Sequence, residues 1–111
     1  MVDTNTESLY EILWDAIPYP LFVISINNLI YKANSSAETY CLSSKKQIQL
    51  KPVHSYFGKN SVILNSIEQA RDTLISVKTY NVEVFWLNKS SSMHDVIATP
   101  INNAGENILL L

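Results

Sequence analysis

Leu9, Ile12, Leu13, Ala16 and Ile17 recur at helical spacing, and Thr4-x-x-Glu7 or Ser8-x-x-Glu11 offers a capping box ahead of them. Tyr10 and Trp14 form a second apolar stripe beside the first. One small core does not need both stripes, so the pattern predicts a helix with a second partner. Pro18 and Pro20 end it, because neither ring fits a helix interior. Leu21 to Ile26 then reads as a buried strand, Asn27-Asn28 as a tight turn, and Leu29 to Ala33 as its antiparallel return. Asn34 is placed to cap the next helix, and Ser35-x-x-Glu38 supplies a further capping box.

Ala37, Tyr40 and Cys41 share one face of that short helix. A polar Ser-Ser-Lys-Lys passage follows, Pro52 breaks the chain, and Val53 to Phe57 forms one helical turn. Ser61 to Thr73 is a fuller helix, with Val62, Ile63, Ile67, Ala70 and Leu74 at helical spacing and Asn60 or Ser61 as its cap. From Val77 the period changes to two. Tyr80, Val82, Val84 and Trp86 are assigned to the core face, and Thr79, Asn81, Glu83, Phe85 and Leu87 to the other. Met93 to Thr99 and Asn107 to Leu111 complete the strands. The order predicts an α+β fold: a five-stranded antiparallel sheet, short helices on one face, and an amphipathic helix in front. Residues 1–18 are assigned to that helix and residues 19–111 to the domain behind it.

Composition narrows what such a domain can do. The chain has 111 residues, enough for one core, and its 47% hydrophobic and 16% charged residues argue against disorder. Net charge is −2 and the basic residues are scattered, which argues against nucleic-acid binding. The longest apolar runs are too short to span a bilayer, and Val2 to Ser8 is too polar for a signal peptide. The single cysteine, Cys41, forms no internal disulfide and suits a reducing cytoplasm. The apolar finish at Ile108 to Leu111 suggests a domain cut from a longer chain.

Residues with chemical potential are few. His54, between Pro52-Val53 and Tyr56-Phe57, is conceivable as a haem ligand, but a solvated histidine at a helix start is the simpler reading. His94 and Asp95 are strand neighbours pointing to opposite faces, poor geometry for a shared metal. The serines lack a Gly-x-Ser-x-Gly elbow and a positioned base, and Gly58 and Gly105 stand alone, so no phosphate loop forms. No catalytic, metal or cofactor residues are therefore assigned. Tyr56, Phe57, Tyr80 and Trp86 are candidate lining for a pocket between sheet and helices, although core packing alone explains them and is the favoured reading. Leu9, Ile12, Leu13 and Trp14 are assigned to a dimer interface.

The pattern resembles a PAS domain, and more narrowly the amino-terminal PAS domain of nitrogen-regulation (NtrB-type) sensor histidine kinases. Ile17-Pro18-Tyr19-Pro20-Leu21-Phe22-Val23 is similar to the family's helix exit and first strand. Ile30 to Glu38 resembles its second strand and asparagine-capped helix, and Leu42-Ser43 its following Leu-Ser. Ser61 to Arg71 with Val82-Glu83-Val84 is similar to its long helix and third strand. The chain departs from the family at Asn27-Asn28-Leu29, where aspartate and glycine are usual, and at Gln49 or Leu50, where a glycine is usual. Cys41 lies in Thr-Tyr-Cys-Leu-Ser, unlike the Asn-Cys-Arg setting of flavin-binding light sensors, and reads as a buried core thiol.

The resemblance implies a cytoplasmic, homodimeric signal-transduction module of a two-component kinase. This fragment would not be an enzyme itself, whereas the parent would be a phosphotransferase. The implied partners are a PII-type signalling protein and a response regulator, both acting through the parent. Neither His54 nor His94 matches the phosphoacceptor context. A small-molecule sensor of another signalling protein, or a small α+β enzyme with a pocket carboxylate, are the alternatives.

Overall fold

The computed structural model describes residues 2–57, 61–85, 91–101 and 105–111. Helix α1, Val2–Ala16, stops where Ile17 precedes Pro18, since a residue before proline is driven out of the helical region. Strands β1, Leu21–Ile24, and β2, Ile30–Ala33, follow as a hairpin. The short helices α2, Ser35–Cys41, α3, Lys45–Ile48, and α4, His54–Phe57, lead to α5, Ser61–Thr73. Strands β3, Val77–Phe85, β4, Ser91–Pro100, and β5, Asn107–Leu110, complete the chain.

All five strands form one antiparallel sheet in the order β2-β1-β5-β4-β3. The last strand therefore lies between the two hairpins, with Phe22 opposite Leu109 and Ala98 opposite Leu109 from the other side. Phe22, Ile24, Ile30, Val82, Val84, Val96 and Ala98 face the helices and are buried. Ala37, Cys41, Ile48, Val53, Tyr56, Phe57, Ile63, Ile67 and Ala70 meet them from α2 to α5. Phe22 and Phe57 pack edge to face, with ring centroids 5.2 Å apart, at the centre of this layer.

Three local departures from the expected pattern have physical causes. The first hairpin turns through Ile26-Asn27-Asn28 rather than through Asn27-Asn28 alone. The Asn28 N–H donates to the Ser25 carbonyl at 2.9 Å, and Asn28 then takes a φ of 60°. This is the role in which asparagine substitutes for glycine.

Helix α3 lies in the passage read only as polar. Ser44 and Gln47 form a capping box at its start, a signal the sequence already carried.

The third departure is a correction: Tyr80 does not face the core. A bulge in β3 sets Thr79 opposite Val96 but Val82 opposite His94, so one extra residue on β3 changes the phase of alternation. Asn81 adopts φ 54° there, and its N–H donates to Asp95 Oδ1 at 3.1 Å instead of to the ladder. Thr79 turns inward, with its Oγ1 3.0 Å from Ser66 Oγ on α5. Tyr80 is left 64% exposed under the Lys78 ammonium, 4.9 Å from its ring centroid.

Candidate interaction surface and helix joint

Of the described side chains of α1, those ahead of its last turn contribute little to the core. Leu9, Tyr10, Ile12 and Leu13 are all exposed, Leu13 by 53% and Ile12 by 64%. Ile12 and Leu13 lie near neighbours at i and i+3 or i+4 from Leu9, so they form one apolar stripe along the helix. The sequence assigns Leu9, Ile12 and Leu13 of this stripe, together with Trp14 of the stripe beside it, to a dimer interface, and the structure leaves the first three uncovered. Trp14 differs from them. It is half-buried, with the Lys32 ammonium 5.4 Å from its ring centroid, so it faces the body of the domain.

The last turn of α1 is held by a compact polar joint. Asn34, completely buried, uses both ends of its amide. Its Oδ1 accepts from the N–H groups of Ala37 (2.9 Å) and Leu21 (3.0 Å), capping α2 and fixing the start of β1. Its Nδ2 donates to the carbonyls of Tyr19 (2.8 Å), Trp14 and Ile17 (both 3.3 Å), the last two being carbonyls that the end of α1 leaves open.

Asp15 returns the arrangement. Its Oδ1 accepts from the Ser35 N–H at 3.0 Å, at the first residue of α2. Both its oxygens also accept from Lys45 Nζ, at 2.6 and 2.7 Å. The hydrogen-bonded Lys45 ammonium holds the Asp15 carboxyl below its ordinary value of 3.8, against an opposing push from burial. Glu38 stands 4.0 Å from the same ammonium. Beside the joint, a half-open groove of about 310 Å³ runs between α1, β2 and α3, with Glu11, Trp14, Tyr31, Lys32 and Gln49 among its walls.

The remaining candidates are distributed around the core. Tyr56 and Phe57 are buried within it. Tyr80, as described, lies outside it, and Trp86 falls outside the described residues. Asn107 is completely buried on β5; its Nδ2 reaches the Ile67 carbonyl at 3.4 Å, and its Oδ1 has no partner among the described residues.

Burial pushes the Cys41 thiol up to about 12, so it carries almost no thiolate. His54 is exposed on α4. His94 turns toward Tyr40, ring centroids 5.7 Å apart, while Asp95 turns to the other face to meet Asn81. Ser92 Oγ lies 2.7 Å from His94 Nε2, a hydroxyl beside a base that the sequence pattern did not reveal. Asp95 is directed away from that imidazole and does not orient it as a triad carboxylate would. No group of three or more metal-ligating side chains occurs among the described residues, and no helix there is long and apolar enough to cross a membrane.

No protein-family model matches the chain, and no curated protein matches it significantly. Solved structures do. The PAS domain of nitrogen regulation protein NR(II) from Vibrio parahaemolyticus superposes with a TM-score of 0.76 at 18% identity, covering 92% of this chain and 93% of that one. A PAS domain from Colwellia psychrerythraea gives a TM-score of 0.78 at 16% identity over 96% of this chain and 95% of that one. The PAS domain of a two-component sensor histidine kinase gives 0.76 at 11% identity, over 97% and 96%. The strand order, the inward helices and these superpositions agree: the chain has the PAS fold.

Proposed function

We propose that this chain is a sensory and dimerisation module of a two-component sensor histidine kinase of the nitrogen-regulation type, acting by conformational change. On this reading the module works in the cytoplasm and catalyses nothing itself. It passes its state to a kinase portion that communicates with a PII-type protein and a response regulator. The likeness to the NR(II) sensor domain supports the choice of kinase. The observation that carries the reading is the uncovered stripe of Leu9, Ile12 and Leu13 on a helix anchored, among its described side chains, at its carboxyl end. Covering that stripe with the same stripe of a second copy removes apolar surface from water, worth roughly 25 cal/mol per Å². It also gives the self-complementary contact of a two-fold dimer.

A second reading, a small-molecule sensor, draws on Asn107. A buried amide oxygen without a partner costs about 1–3 kcal/mol, and a ligand donor inside the core would remove that cost. Sedimentation of the protein and of Leu13→Glu tests the first reading. The protein is expected to be a concentration-dependent dimer, and the variant a folded monomer. A variant that remains dimeric removes α1 from the interface. Weighing the same preparation under native and denaturing conditions addresses the second reading, which requires extra mass that denaturation releases.

A further inference from the structure

The stripe on α1 can be presented to a partner only in the direction that the carboxyl end of the helix dictates. That end rests on few supports. From Leu9 onward the outer part of α1 is exposed, and Trp14 is only half-buried, so apolar packing holds it weakly. The polar supports are of two kinds. The bonds of Asn34 are neutral and sealed from water. The clasp between Asp15 and Lys45 is ionic and open to water, the two side chains being 33% and 43% exposed. Salt and competing charges reach the second kind but not the first.

Leverage magnifies whatever happens there. Helix α1 has 15 residues and so a length of about 22 Å, and a tilt of about 10° at the joint moves its far end by about 4 Å. That sideways displacement is about the reach of one apolar contact, enough to break and remake contacts along the stripe.

We propose that the mutual capping of α1 and α2 is a latch that fixes the direction of α1, and that its ionic half, the Asp15–Lys45 clasp, is the part that releases. Asn34 acts as the pivot and keeps α1 attached in both states. Lys45 acts as the catch, because from α3 it bridges the end of α1, through Asp15, to the start of α2, through Glu38 at 4.0 Å. With the catch closed, α1 holds one direction. With it open, α1 swings about Asn34 while the sheet and its helices stay folded. The functional meaning of the latch rests on the reading of α1 as an interface, although its mechanics do not.

Pulsed electron resonance distances between spin labels at Tyr10→Cys on α1 and Glu68→Cys on α5 test this. The buried Cys41, with its raised pKa, resists labelling in the native protein. Diluting labelled chains with unlabelled ones confines the signal to distances within one chain. One narrow distance is expected at low salt. Adding Lys45→Met should broaden or shift it by several ångströms, with little change in the melting of the body. Asp15→Asn should do the same, and the double variant no more than either single one. A distribution that stays narrow in all three variants overturns the latch. Should Lys45→Met fail to fold, the same measurement on the unsubstituted pair between about 0.05 and 1 M salt decides. Broadening with salt supports the ionic catch, and indifference to salt refutes it. A protein that sediments as a monomer yet shows the narrow distance keeps the latch and loses the dimer.

Discussion

Asn34 performs two tasks that the sequence shows very unequally. Its acceptor role is local: an asparagine ahead of Ser35-x-x-Glu38 announces a helix cap, and Oδ1 does bond the Ala37 N–H. Its donor role joins residues as many as 20 positions apart, at Trp14, and depends on the chain folding back so that α1 ends beside α2. No spacing rule contains that. Asn34→Asp separates the two roles, because a carboxylate keeps the acceptors and loses the donors. The carbonyls of Trp14, Ile17 and Tyr19 would then face a charge of their own sign. Urea unfolding should show a loss of about 2–4 kcal/mol, despite the near-identical shape of the side chains. A loss below about 0.5 kcal/mol would mean that the Nδ2 contacts hold nothing. Asp15 beside Lys45 escaped the sequence for the same reason, since the two are 30 positions apart, whereas Ser92 beside His94 was missed because β4 begins at Ser91 and not, as expected, at Met93, so that alternation puts both on one face.

Among the elements, legibility followed periodicity. Helix α5 carries a sustained helical repeat and spans Ser61–Thr73, as its pattern predicts. The first hairpin was visible in outline, but its turn took in Ile26 as well. Strand β3 misled at one point because strict alternation assumes no inserted residue. The bulge moved Thr79 inward and Tyr80 outward, and asparagine at position 81 was its only sequence trace. The left-handed backbone at Asn81 makes that trace testable. A β-branched residue is strained there, so Asn81→Val should cost about 1–2 kcal/mol in thermal or urea unfolding, while Asn81→Gly should be nearly neutral. Equal tolerance of both would show that the bulge is held by its neighbours rather than by its own backbone preference.

At the scale of the whole molecule, the sheet and its inner helices share one core, to which α1 is joined at its carboxyl end. The double apolar stripe predicted a helix with more greasy surface than one core can cover, and the structure leaves Leu9, Ile12 and Leu13 in water. Trp14, assigned to the same interface, is half-buried, with the Lys32 ammonium 5.4 Å from its ring. Periodicity shows which residues share a helix face, but it does not show where the neighbouring chain ends that face. Which surface, if any, covers the stripe leaves no mark on a single chain.

Amide hydrogen exchange across Leu9–Trp14, followed as protein concentration rises through the dimerisation range, tests this directly. If a second copy covers the stripe, protection of these amides climbs with concentration while that of β1 and β5 stays level. Amides in α1 that exchange at the same rate throughout, in a protein that nevertheless dimerises, would contradict the account and move the interface elsewhere.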